Sequence, residues 1–268
     1  MPPRPPYWSL STRRIRLVVA YDGTDFCGWA AQHGQRTVQS TLTETIGQIS
    51  GEPVWVQGAS RTDSGAHARG QVCHFDSESG IPPDKWAVIL GKRLPRDVCV
   101  RRSDQVPANF ESRFWAVDRT YRYRILTGWR DPQRARYAHH YGRRLDATLM
   151  DLSARNLVGE HDFRSFGEEL ERTTNTVRTL FEAGVREVRD EIWIDVVGTA
   201  FVRGMMRRIA GALLEIGRGA RPASDIVPLL ARNPDIQLPE VLPARGLTLM
   251  RVRYGRHPSD HRRETVSK

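Results

Sequence analysis

Arg61 and Asp63 stand two residues apart in the run Gly58-Ala59-Ser60-Arg61-Thr62-Asp63-Ser64-Gly65-Ala66-His67, directly after an apolar, strand-like segment. The rest of the run is small and turn-forming. That combination carries a carboxylate at a strand end, and Gly65 removes a side chain that would block a ligand's approach. A carboxylate presented in this way can act as a nucleophile or take up a proton. The plainer alternative is an aspartate that satisfies its own turn through the backbone. Arg61 either pairs with a neighbouring charge or reaches a phosphate, and alone such a surface pair means little.

Other residues bear on the same chemistry. In Arg119-Thr120-Tyr121-Arg122-Tyr123-Arg124 tyrosines alternate with arginines, so on a strand the two types face opposite sides. Tyr121 is then either a core ring or a platform on which a base stacks. Arg203 and Arg207, four apart, flank an apolar helical stripe; they are either a solvated face or, at the edge of a buried one, in need of a carboxylate such as Asp63. Phe110-Glu111-Ser112-Arg113-Phe114-Trp115 mixes aromatics with arginine, which suits looped RNA, while the same rings also suit a core between two halves. His140 either approaches a backbone phosphate or belongs to a solvated loop.

The elements that must position these residues follow from periodicity and turn signals. The first half reads as a strand at 15–21 and a helix at 37–50 capped by Thr37 and stopped by Gly51. Strands at 53–58 and 71–75, a helix at 82–94 and a strand at 97–106 follow. The second half repeats the order: a strand at 120–127, a helix at 146–158 with Leu149, Leu152, Ala154 and Leu157 inward, and strands at 177–188 and 191–197. It ends with a helix at 202–217 striped by Val202, Met206, Ile209, Leu213 and Ile216, a shorter helix at 223–231 and a strand at 246–254. The order β-α-β-β-α-β predicts an α+β fold. Two ferredoxin-like halves, 10–107 and 108–254, join into one extended, mainly antiparallel sheet, with helices on one face and a cleft between the halves. A proline-rich arm at 1–9 and a basic tail at 255–268 flank them.

Composition narrows the partners. The 268 residues hold 41 Lys+Arg against 31 Asp+Glu, a formal charge of +10, which favours a polyanion such as nucleic acid. Three widely spaced cysteines fit neither a disulfide framework nor a zinc knuckle, so a reducing, cytoplasmic setting is expected. No apolar run reaches the ~20 residues of a membrane span, so no membrane association is expected. Phosphate-binding, dinucleotide and HExxH motifs are absent from the sequence, and no metal and no cofactor is expected.

In combination these motifs resemble the tRNA pseudouridine synthase A family. Ser60 to His67 resembles its GRTD-x-GVH signature, with Ser60 in place of glycine and Ala66 in place of valine. Gly70-Gln71-Val72 and His74-Phe75 follow as in the family, and Arg119 to Tyr123 resembles its (K/R)-x-Y-R-Y motif. Thr199-Ala200-Phe201, Met205-Met206-Arg207 and Gly211 resemble its F-x-x-x-M-V-R helix, with Met206 replacing valine. Tyr21-Asp22-Gly23, Gly28-Trp29 and Thr37-Val38-Gln39 also fit, and the resemblance covers about residues 13–254. It implies isomerisation of uridine to pseudouridine at tRNA positions 38, 39 and 40, by a homodimer that grips tRNA. Carried over by motif, Asp63 is the nucleophile and Tyr121 stacks on the uracil. Arg207 pairs with Asp63, and Arg61 helps displace the flipped base. Phe110, Arg113, Phe114, His140 and Arg203 are the further candidate tRNA contacts. A non-catalytic RNA binder lacks its expected aromatic signature here, and a glycosidase or nuclease lacks a well-placed second carboxylate or a metal set.

Overall fold

The computed structural model describes residues 12–255; the predicted arm at 1–9 and the basic tail after 255 lie outside the described residues. In β1 (Arg13–Tyr21), Ile15, Leu17, Val19 and Tyr21 turn inward and alternate with more exposed residues. α1 (Val38–Ser50) begins where the Thr37 side chain accepts from the Ser40 N–H. It ends where Gly51, at φ +74°, donates to the Gly47 carbonyl. Its Val38, Leu42 and Ile46 are buried. β2 (Gln57–Gly58), β3 (His67–Ser77), α2 (Trp86–Gly91) and β4 (Val98–Val106) follow.

The rest of the chain runs β5 (Ala116–Leu126), β6 (His139–His140), α3 (Ala147–Arg155), β7 (Gly159–Asp162), β8 (Val177–Val188) and β9 (Glu191–Gly198). α4 (Met205–Gly217), α5 (Ile226–Leu230) and β10 (Leu247–Tyr254) complete it. The ten strands of the described residues belong to one mostly antiparallel sheet, in the order β4-β1-β3-β10-β5-β9-β8-β7, with β2 on β3 and β6 on β5. β3 and β10 meet in parallel through two residue pairs, His67 with Thr248 and Ala68 with Leu249. This short seam lies at the end of the Arg61–Asp63 loop. On β5 the predicted alternation holds: Tyr121, Tyr123 and Ile125 are buried, while Arg122 pairs with Asp195 and Arg124 with Glu191 across β9.

Several expectations are corrected. The strand expected at 53–58 is reduced to Gln57–Gly58, because the Val56 carbonyl is taken by the Gln39 amide of α1 at 2.7 Å rather than by a neighbouring strand. The helix expected at 82–94 is a 3-10 turn at Pro83–Lys85 followed by six residues of α2. The helix expected at 202–217 begins at Met205, since Gly204 sits at φ +72°. The one at 223–231 is a 3-10 turn, Ala223–Asp225, leading into α5. On α3 the inward side is Met150, Ser153 and Ala154, and Leu152 is 56% exposed. β6 and β7, of two and four residues, are too short to leave a pattern in the sequence.

Gly70 on β3 marks how closely the two parts of the sheet approach. A Cβ there would lie 2.6 Å from the Met250 carbonyl oxygen of β10. Gly70→Ala is therefore expected to destabilise the protein by about 1–3 kcal/mol, the usual cost of forced overpacking. Thermal unfolding checks this, and an unchanged Tm contradicts it.

Candidate active site

The loop from Ala59 to Ala66 connects β2 to β3 and is held from both sides. On the β3 side, the wholly buried Gln71 donates through Nε2 to the Ser60 carbonyl at 2.6 Å, and its Oε1 accepts from the Ser60 N–H at 3.2 Å. Ala59 N–H donates to Val72 O at 2.8 Å. On the other side, Trp29 N–H donates to Thr62 O at 3.1 Å, Gly65 N–H donates to Phe26 O at 3.2 Å, and the Thr62 and Tyr21 hydroxyls meet at 2.8 Å. The Ala66 N–H closes a turn onto Asp63 O at 3.1 Å, with Gly65 at φ +80° in the position where glycine is favoured. With its flanks paired in this way, the loop has little freedom to move the Asp63 carboxylate.

Asp63 meets a guanidinium from the other half of the chain. Arg207, in the first turn of α4, places Nη1 3.2 Å from Asp63 Oδ2. Its Nε donates to the Leu242 carbonyl at 2.7 Å, which fixes the orientation of the planar group. The same Nη1 lies 3.3 Å from Glu168 Oε2. Tyr121 stands beside this trio. Its hydroxyl bonds Ser60 Oγ at 2.7 Å, and its ring meets Phe201 in a T-shaped contact at 4.8 Å. Burial pushes the Tyr121 phenol up to about 12, and the negative charge of Asp63 adds to the shift against the Ser60 hydrogen bond. At neutral pH it is thus an uncharged phenol, not a base.

Arg119 ties these parts together. It is buried, and its guanidinium donates to Ala59 O at 3.1 Å, Arg113 O at 2.6 Å, Thr199 O at 2.6 Å and Ala116 O at 3.2 Å. One side chain thereby joins the start of the Asp63 loop to the segment that carries Phe201. Burial lowers its pKa.

The structure brings Asp63, Tyr121 and Arg207 together. Arg61 is exposed next to them and forms no ion pair among the described residues. The further tRNA contact candidates are scattered. Arg203 precedes α4 rather than sharing its face with Arg207; it is exposed and pairs with Glu169 at 2.6 Å. Phe110 is corrected: it is 3% exposed, packed among His74, Trp115 and Tyr254, so its ring has no free face for a base. Arg113 lies over the ring of Phe114, and both are exposed. His140 is half-buried with Nε2 3.1 Å from Gly128 O. Glu168, Phe201 and Arg119 are missed as site residues by sequence reasoning. Arg119 shares strand parity with Tyr121, which would have placed it on the buried face; no pattern marks Glu168.

His67, at the end of the loop, is buried. Its Nδ1 accepts from Gly23 N–H at 3.1 Å and Nε2 faces the Arg136 and Arg245 carbonyls at 3.1 and 3.2 Å. Burial lowers its pKa, against the pull of Asp22. Burial raises Asp22, but hydrogen bonds from Thr24, Tyr137 and Arg136 outweigh it and hold the carboxyl at about 2. His74 and His139 are likewise lowered by burial.

A sequence model of the tRNA pseudouridine synthase family matches residues 17–114 and 153–255. The tRNA pseudouridine synthase A of Brevibacillus brevis is 40% identical over 243 residues, covering 90% of this chain and 100% of the relative. Its counterpart in Halalkalibacterium halodurans is 39% identical, covering 88% of this chain and 90% of the relative, and that of Clostridium acetobutylicum is 36% identical, covering 90% and 100%.

Arg119→Lys cannot reproduce the fork that serves four carbonyls. It is expected to destabilise by about 2–4 kcal/mol, the range for breaking a buried polar network. Chemical denaturation measures this, with the exposed Arg113→Lys as a control near zero. A histidine whose folded pKa is depressed keeps its full stability contribution above its unfolded value. It loses that contribution as pH falls from about 6.5 toward the folded value. Stability is therefore expected to decline between about pH 7 and pH 5, above the main carboxylate range. Tm measured across that interval should fall less steeply in His67→Gln, and an unchanged slope contradicts the assignment.

Proposed function

We propose that this chain, which belongs to the tRNA pseudouridine synthase family and isomerises uridine to pseudouridine in tRNA, does so with Asp63 as nucleophile. Its targets are uridines at tRNA positions 38, 39 and 40 in the anticodon arm. The observation that carries the assignment is the part-exposed Asp63 carboxylate on a clamped loop, 3.2 Å from Arg207 and beside the Tyr121 phenol.

The isomerisation breaks the N1–C1′ bond and forms C5–C1′; C5 gives up its proton and N1 gains one. Atoms and electrons balance within the nucleoside, so neither water nor a redox partner enters. What the protein must supply is a carboxylate oxygen, a countercharge, and a slot that holds the detached uracil while it turns. Asp63 offers the first and Arg207 the second. Tyr121, held in its T-shaped contact with Phe201, supplies a wall of the slot. Extruding the base from the stem costs a few kcal/mol. Arg61, exposed and two residues from Asp63, is suited to fill the gap that the base leaves.

The wider assembly fits the same reading. Strand orders β4-β1-β3-β2 and β10-β5-β9-β8 support a reading as two ferredoxin-like units joined at the β3–β10 seam. The excess of 41 basic over 31 acidic residues provides for phosphate contacts, with exposed Arg113 and Phe114 among the RNA-facing candidates. The working unit is a cytoplasmic homodimer whose two copies share the grip on tRNA.

Asp63→Asn keeps the size of the side chain and removes its charge. Pseudouridine formation, read as tritium release from tRNA labelled at uracil C5, is expected to fall by about 10⁴-fold or more. The Kd for tRNA should stay within about threefold. Near-normal turnover by this variant overturns the proposal.

A further inference from the structure

Glu168 is a second carboxylate on the guanidinium that serves Asp63. Arg207 Nη1 lies 3.2 Å from Asp63 Oδ2 and 3.3 Å from Glu168 Oε2, so one nitrogen faces two anions at nearly equal distance. The three side chains are 23%, 30% and 19% exposed for Asp63, Glu168 and Arg207. They are part-buried, where a lone charge is costly and a shared one matters.

The backbone builds this contact. Glu168 N–H donates to the Arg203 carbonyl at 2.9 Å. Opposite it, Gly204 sits at φ +72°, and a Cβ at that position would come within 2.7 Å of Glu168 Cβ and 2.9 Å of its Oε2. Gly204 thus serves both the left-handed turn before α4 and the space that Glu168 occupies. Arg208, next along the helix, is close enough to feel the charge of Glu168, whereas the exposed Glu169 points its charge to Arg203 instead.

We propose that Glu168 is a positioning residue for the isomerisation: it retains Arg207 when Asp63 turns an oxygen from the ion pair to the nucleoside. Without Glu168, releasing Asp63 leaves a part-buried guanidinium with its Nε on Leu242 O and no carboxylate on Nη1. With Glu168 that cost falls, and Arg207 stays oriented by the Leu242 carbonyl and Glu168 together. This inference rests on Asp63 being the reacting group. It differs in sign from the alternative in which Glu168 merely repels or imitates RNA phosphate. In that case, removing the charge tightens tRNA binding and leaves the reaction step alone.

The test compares wild type, Glu168→Gln and Glu168→Asp in single-turnover tritium release with enzyme in excess over C5-labelled tRNA, alongside tRNA Kd. The expected result for Glu168→Gln is a roughly tenfold or greater loss of the single-turnover rate, with tRNA Kd unchanged or tighter and partial recovery in Glu168→Asp. An unchanged rate overturns the proposal. So does a rate loss matched by weaker tRNA binding, or equal impairment of the Gln and Asp variants, since both indicate a structural role. A second readout needs no activity. In thermal unfolding, Glu168→Gln should lower Tm more in an Asp63→Asn background than in wild type, because Arg207 then loses both carboxylates; additive losses overturn the shared contact. A wild-type protein that releases no tritium from tRNA sinks the function assigned to Asp63 and the role of Glu168 in it. The unfolding cycle then still reports whether the two carboxylates are coupled.

Discussion

The contact between Asp63 and Arg207 joins residues 144 positions apart in the chain, and most of the architecture serves to make it. A carboxylate and a guanidinium at 3.2 Å gain little on an open surface, where water and salt screen them. Here both are part-buried, and the pair is held from each side by groups that have no freedom to follow it. The loop that carries Asp63 is clamped by Gln71 and by the segment around Phe26 and Trp29. The helix that carries Arg207 is packed along its length, with Met206, Ile209, Leu213 and Ile216 buried. Neither partner is positioned by the other, which is the condition for a preorganised charge pair.

That requirement explains the seam. Two parts of the chain must be locked to within a few tenths of an ångström for a loop from one to meet a helix from the other. A parallel contact of only two residue pairs between β3 and β10 is a small amount of hydrogen bonding for the purpose. The deficit is made up by side chains acting as backbone. Arg119 on β5 donates to the carbonyl of Ala59 in the loop and to that of Thr199 near Phe201. His67, at the seam itself, links Gly23 N–H to the Arg136 and Arg245 carbonyls. Gly70 permits the close approach to Met250. A buried arginine surrounded by carbonyls costs more to desolvate than an apolar side chain, but it reaches several segments at once in a way no methyl group can.

What was legible in the sequence is what short-range patterns record. Thr37 and Gly51 cap α1 as expected, because cap chemistry is local. The alternation of Tyr121, Tyr123 and Ile125 with arginines is visible because strand faces have a period of two. Asp63 stands out because small, turn-forming residues isolate it. What escaped depends on contacts between distant segments. The 53–58 strand is shortened by a glutamine on α1 that takes the Val56 carbonyl, and Phe110 goes into the core because His74 and Tyr254 close over it. The expected helix includes Gly204, whereas its left-handed backbone, which glycine adopts without a Cβ penalty, places it before the first turn of α4. Glu168 has no signature at all: its meaning comes only from the side chain it meets 39 positions later.

The chemistry near Asp63 is restricted by which neighbours can ionise. Burial and the nearby Asp63 carboxylate push the Tyr121 phenol up to about 12, so near neutral pH it can donate or accept a hydrogen bond but not remove a proton. The Arg207 guanidinium carries donors only and has no acceptor to offer. The hydroxyl of Ser60 is already engaged with Tyr121. Within this group, the carboxylate oxygens belong to Asp63 and Glu168, and both face the same Arg207 nitrogen. Two carboxylates gathered on one fixed countercharge, beside an uncharged aromatic wall, suit an internal rearrangement of a nucleoside. They suit less well a two-carboxylate hydrolysis, in which an acid and a base must flank the bond at a set spacing.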